Sequence, residues 1–171
     1  FLARTIANLK IPIVIIPGNH DSSTRLGVSA ALLRGSGLHV YATPESIFEP
    51  LRFEKDGASI AVYAIPFLEP AEWGFYFGRP LRTQNEALEA ILESLEDSIA
   101  NDRTQNRRIV LALHAYVIGA QPTESERPLS IGGSEFVALE LFRDFDYVAL
   151  GHLHRPQNVG TERVRYPGSL F

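Results

Sequence analysis

Two patterns of apolar and polar positions alternate along the chain. Short apolar runs with turn residues around them occupy residues 13–16, 38–42, 109–113 and 147–150. Such runs, rich in β-branched residues, predict buried strands of parallel type. Longer stretches repeat with helical period. Residues 84–100 place Leu88, Ile91, Leu92, Leu95 and Ile99 on one face, and residues 22–34 place Leu26, Ala30 and Leu33 on another, ending at Gly35 and Gly37. Residues 1–9 read as the last turns of a helix, and residues 139–143 as a short one. Residues 48–53 and 59–65 alternate and meet at Asp56-Gly57, which predicts a hairpin. Residues 157–159 and 164–166 predict a closing β pair around Gly160. Two segments show no period and read as loops. One is the aromatic stretch 66–82 with Trp73, Phe75, Tyr76 and Phe77; the other is the polar stretch 119–135 with Glu124, Glu126 and Arg127. Together these elements predict a single α/β domain over residues 1–171. The first strand already leads into a candidate site, so further strands are expected upstream of Phe1. A sequence of this length without methionine reads as part of a longer reading frame.

Composition narrows the class. With 171 residues and 45% apolar content the chain can build one core. It has no cysteine, which excludes disulfides and zinc–thiolate sites. No run approaches the ~20 apolar residues of a membrane helix, and no signal-peptide pattern opens the chain, so a cytoplasmic protein is expected. A net charge of −4 argues against a general nucleic-acid coat, so any DNA contact must be local. The cations are 14 arginines against Lys10 and Lys55. Arginine suits phosphate contacts, but the absence of a basic stripe favours codon usage as the cause.

The chemistry sits in histidines. Gly18-Asn19-His20-Asp21 follows the first strand, His114 ends the run 109–113, and Gly151-His152-Leu153-His154 follows the run 147–150. Three strands thus each deliver histidine at the C-terminal end, the edge where open α/β sheets bind ligands. Each motif alone admits two readings. His152 and His154, at i and i+2, share a face if the segment is extended and can ligate metal; they also fit a pair of surface loop histidines. Gly151 lets the backbone approach a ligand. Asn19 offers a neutral oxygen to a hard metal, His20 can protonate a leaving oxygen, and Asp21 can orient the imidazole. The same residues also fit an Asx turn capping the helix near Ser22. His114 alone fits a satisfied core histidine, and His39 has no partner motif. Arg25 and Arg155 flank the two motifs and can meet DNA phosphates or cap loop carbonyls. The aromatic stretch 73–77 can stack bases or pack beneath a loop. The joint order of the motifs points to a metal-dependent phosphoester hydrolase.

That order, G-N-H-D, then a lone histidine after a strand, then G-H-x-H, resembles the second half of the calcineurin-like metallophosphoesterase signature. Within that superfamily the chain is similar to SbcD-type nucleases. The similarity lies in residues 18–22 with Arg25-Leu26, residues 124–129, residues 146–157 and Tyr166-Pro167-Gly168-Ser169. The resemblance implies a partial metallophosphoesterase sandwich, α/β, with mixed sheets flanked by helices and its N-terminal strands missing. It implies two divalent metals, usually Mn2+. Asn19, His114 and His152 would bind the second metal and His154 the first. His20 would be the proton donor or transition-state stabiliser, with Asp21 behind it. The family's D-x-H and G-D-x-x-D motifs occur nowhere in the sequence, so half of the ligand set is expected upstream and this stretch alone should be inactive. Also implied are exonuclease or endonuclease action in DNA repair and recombination, an SbcC-type ATPase partner and a homodimer. Two alternatives stay open: another calcineurin-like phosphatase or phosphodiesterase, and a non-catalytic interaction domain.

Overall fold

The computed structural model describes residues 11–28, 30–123 and 135–169. The expected helix over residues 1–9 and the loop residues Glu124, Glu126 and Arg127 lie outside these described residues.

The architecture is α/β with a mixed sheet flanked by helices, as expected. Two strands, β1 (Ile13–Ile15) and β2 (Leu38–Val40), pair parallel in a small sheet of their own. Between them lie two short helices, α1 (Ser23–Val28) and α2 (Ala30–Arg34), and Thr43 starts a third, α3 (Pro44–Ile47). Leu26, Ala30 and Leu33, the predicted inward face, pack on Leu38, Val40 and Ala42. Six strands form the main sheet. They are β3 (Leu51–Lys55), β4 (Ala58–Ile65), β5 (Arg108–His114), β8 (Tyr147–Gly151), β9 (Gln157–Val159) and β10 (Thr161–Tyr166). Their order across the sheet is β3-β4-β5-β8-β10-β9. β4, β5, β8 and β10 run parallel, while β3 and β9 pair antiparallel at the two edges. The β3–β4 hairpin closes at Asp56 and Gly57, with φ of 53° and 81°, the positive values that a two-residue hairpin turn needs.

Apolar burial is greatest on one face of the main sheet. In β5, Ile109, Leu111 and Leu113 are fully buried, while Val110, Ala112 and His114 are half-buried. The run read as buried on both faces is therefore alternating, with one face less covered among the described residues. Against the sheet lies α5 (Gln84–Thr104), docking Leu88, Ile91 and Leu95. Its start follows capping chemistry: Thr83 accepts from the Glu86 N–H through its hydroxyl at 3.1 Å. It runs beyond the expected end at Ala100, because Asp102 is fully buried and bound there.

Three elements differ from expectation. Residues 66–82 hold a helix, α4 (Pro70–Phe77), where a loop was predicted. Pro70 opens its first turn, and Gly78, at φ 65°, closes it. Gly74 weakened the helical signal, yet a Cβ there would lie 2.9 Å from the Arg79 carbonyl oxygen, so the chain's fold-back demands glycine. Residues 139–143 form a 3-10 turn, Leu139–Phe142, rather than an α-helix. A parallel pair also joins β6 (Tyr116–Val117) to β7 (Phe136–Val137), too short to register as a period.

Tyr166 ties this framework to the end of β5. It is fully buried; its hydroxyl donates to the Ala115 carbonyl at 2.7 Å and accepts from the Val117 N–H at 2.9 Å. Tyr166→Phe leaves two buried backbone groups unpaired and is expected to cost about 1–3 kcal/mol, read as a lower urea midpoint. An unchanged midpoint would mean that these bonds add nothing.

Candidate metal and phosphoester site

Strand register builds the site. His114, the last residue of β5, pairs with Gly151, the last residue of β8. The parallel ladder therefore places His152 directly beside His114. On the other side, β4 ends at Ile65, opposite Leu113, and Phe67 follows. The Phe67 N–H donates to the Pro17 carbonyl at 2.9 Å, which fixes the loop after β1 against the same edge. The C-terminal ends of three parallel strands and the loop after β1 thus meet at one edge, the edge where α/β sheets bind ligands.

Three donors meet at the centre. The His114 Nε2 lies 3.1 Å from the Asn19 Oδ1 and 3.3 Å from the His152 Nδ1. The two imidazoles stand edge-on, their centroids 5.3 Å apart at 88°. Metal bonds of about 2.1 Å set neighbouring ligand atoms roughly 3 Å apart around an octahedral ion. The donor separations match that spacing, so the residues present fit a divalent ion. Among the described residues no three His, Cys, Asp or Glu side chains are placed to hold a metal ion together. The third donor here is the Asn19 amide oxygen, neutral like the imidazoles. Neutral donors leave the ion's charge available to a phosphate.

His114 is held in its neutral form. Burial, reinforced by the neighbouring His152, pushes its pKa down to about 4, against a smaller opposing pull from Asp21. Its ring is therefore neutral near pH 7, the form that a metal ligand requires. Glycines wall it in. A Cβ on Gly18 would lie 2.6 Å from the His114 Cε1, and one on Gly151 would lie 2.8 Å from its Nδ1. Phe67 closes the cage edge-on at 6.1 Å. Gly18→Ala needs no forbidden backbone angle but must displace the ring. In the protein at the full length of its relatives it is expected to weaken manganese binding about 10- to 100-fold in a calorimetric titration. Unaltered affinity would remove the glycine from this role.

The remaining candidates occupy different positions. His20, Asp21 and Arg25 are exposed on the loop and helix after β1. His20 lies close enough for its charge to act on His114. The Asp21 carboxylate accepts from the Gly18 N–H at 2.8 Å, closing the loop on itself, and the Ser22 hydroxyl caps the helix through the Arg25 N–H at 3.4 Å. His152 has φ of 114°, so the chain leaves the extended state there. The same-face relation expected of His152 and His154 does not apply, and Gly151 acts by close approach to the ring rather than by a positive φ. His154 is exposed beyond the buried Leu153. Its carbonyl accepts from the Ser169 N–H at 3.0 Å, and Gly168, at φ 84°, packs on Pro156. Residues 166–169 thus brace the second histidine segment. Arg155 is exposed and reaches the Gln121 side chain at 3.4 Å. His39 lies half-buried in β2, away from these motifs. Phe67, and Tyr116 edge-on to His152 at 6.1 Å, were not singled out from sequence. The apolar strand end at Ile65 was the available pointer to Phe67.

The chain is 34% identical over 164 residues to the SbcD component of the SbcCD nuclease from Staphylococcus epidermidis. The aligned stretch takes in 95% of this chain and 42% of that relative, so the chain spans under half of the relative's length. The family pattern described as calcineurin-like phosphoesterase matches residues 1–156, and the chain belongs to that family.

Proposed function

We propose that this chain supplies the histidine- and asparagine-rich half of a two-metal centre in a nuclease that hydrolyses DNA phosphodiester bonds. The single observation that carries the reading is the convergence of Asn19, His114 and His152 at ligand spacing on the C-terminal strand edge. The similarity to a nuclease component supports DNA as substrate. In this reading Asn19, His114 and His152 hold one divalent ion, most simply Mn2+, and His154 contributes to the other. The ions, when bound, supply Lewis acidity that lowers the pKa of water and offsets phosphate charge. His20, exposed beside the cluster, gives a proton to the departing sugar oxygen. Asp21 holds the loop that carries His20 in place. Arg25 and Arg155, exposed and flanking the two histidine motifs in sequence, meet neighbouring phosphates. End processing in DNA repair and recombination, an SbcC-type ATPase as partner, a homodimer and a cytoplasmic setting belong to the same reading.

The substrate test pairs labelled linear duplex DNA with a small generic phosphodiester, using the protein at the full length of its relatives with manganese. Cleavage of the duplex supports the nuclease reading. Turnover of the small diester alone would replace it with a phosphodiesterase, and turnover of neither with a binding domain.

A further inference from the structure

An open groove of about 650 Å³ runs between α5 and the 3-10 turn, and the histidine edge contributes no residue to it. Its floor is apolar: Leu92 and Ile99 from α5, with Leu141 and Phe145 opposite. Leu92 and Ile99 are seven residues apart, two helical turns, so they form one stripe along the helix. Its rim is acidic. Glu89, Glu93 and Glu96 line the helix side, and Glu140 and Asp144 the other. Two arginines offset these five carboxylates, and one of them, Arg103, is committed to Asp146 at 2.6 Å. Glu93 is shared with Arg79 at 3.3 Å, which leaves both side chains more than half exposed.

An apolar floor between carboxylate rims selects its occupant. A phosphate backbone is repelled by the rims, so the groove is no extension of a DNA-binding surface. A helix with one apolar face and cationic flanks meets both features: its apolar side covers the stripe and its lysines or arginines reach the carboxylates. We infer that this groove docks a basic amphipathic helix of a partner protein. The stretch of α5 from Glu89 to Arg103 rises about 21 Å, enough for roughly four turns of such a helix. The site lies apart from the proposed metal centre, so the two stand or fall separately.

The test is fluorescence anisotropy with a labelled peptide of about 15 residues, leucines on one helical face and lysines on the other. Two controls accompany it: the same residues in scrambled order, and the amphipathic peptide with glutamate for lysine. Wild type is expected to bind the cationic amphipathic peptide about tenfold tighter than either control. Glu89→Lys with Glu96→Lys changes exposed side chains, and circular dichroism checks its fold. This variant is expected to lose about tenfold in affinity, a loss that added salt reproduces in wild type. Equal binding of the scrambled peptide, unchanged binding by the variant, or displacement of the peptide by duplex DNA would overturn the inference.

Discussion

His20→Ala, in the protein at the full length of its relatives, is expected to lower DNA turnover about 10²- to 10⁴-fold while leaving bound manganese unchanged. The separation follows from where the side chain stands. The His114 ring lies 3.1 Å from Asn19 and 3.3 Å from His152, while His20 is exposed and acts on His114 through its charge. An exposed loop side chain contributes little to folding, and the Asp21-to-Gly18 bond that closes the loop remains in the variant. On the proposed reading, what disappears is the proton source for the departing oxygen. Steady-state cleavage and metal content by mass spectrometry read the two effects on one sample. A variant that keeps full turnover, or one that loses its metal, would contradict the assignment.

Asp102→Ala is expected to destabilise the fold by about 3–5 kcal/mol. Asp102 is fully buried at the last turn of α5. Its Oδ1 accepts from the Arg52 Nε at 2.7 Å and the Arg107 Nη1 at 3.1 Å, and its Oδ2 from the Tyr63 hydroxyl at 2.7 Å. Removing the carboxylate leaves Tyr63 without this acceptor in the core, and takes the buried acceptor from Arg107, whose side chain is only 15% exposed and keeps Glu54 and Gln105 as partners. Arg52, at 38% exposed, recovers part of its loss from water. Acid reads the same network. Burial alone would raise the Asp102 pKa, but the hydrogen bonds from Arg52 and Tyr63 outweigh it and hold the carboxyl below the usual range. Asp146 is held low in the same direction, where the Ile109 N–H, Arg103 and Arg108 overcome its burial. A carboxyl depressed in the folded state stabilises fully above its unfolded pKa and loses that contribution as pH falls through the folded value. Wild type should therefore weaken below about pH 4, and Asp102→Ala should weaken less over that interval. Urea midpoints at neutral and acid pH measure both effects, and equal midpoints for the two proteins at neutral pH would contradict the role of Asp102. The network joins β3, β4, the end of α5 and the residue before β5, and none of Asn19, His114 and His152 takes part in it, so the folded fraction of the variant should keep its metal affinity.

The two features differ in how far the sequence announced them. The histidine edge was legible because each motif directly follows an apolar run, and a parallel strand's C-terminal end has one chemical meaning in an α/β sheet. The hairpin was legible because Asp-Gly takes positive φ at little cost. What stayed hidden depends on contacts across long sequence separations. Asp102 lies 50 residues from Arg52, and nothing local marks it as buried. The helix α4 was hidden by Gly74, whose reason is the approach of the Arg79 carbonyl. Gly151 read as room for a ligand to approach the backbone, and only the packed ring shows it and Gly18 as walls around His114. The positive φ of His152 was likewise invisible, and it removed the simple alternation expected of His152 and His154.

The most direct test of the metal centre is manganese stoichiometry combined with duplex cleavage, for wild type and His114→Ala at the full length of the relatives. Wild type is expected to bind two ions per chain and cleave. His114→Ala is expected to lose one ion and fall to background cleavage. A His114→Ala protein that binds the wild-type complement of manganese and cleaves at the wild-type rate would contradict the site at its centre.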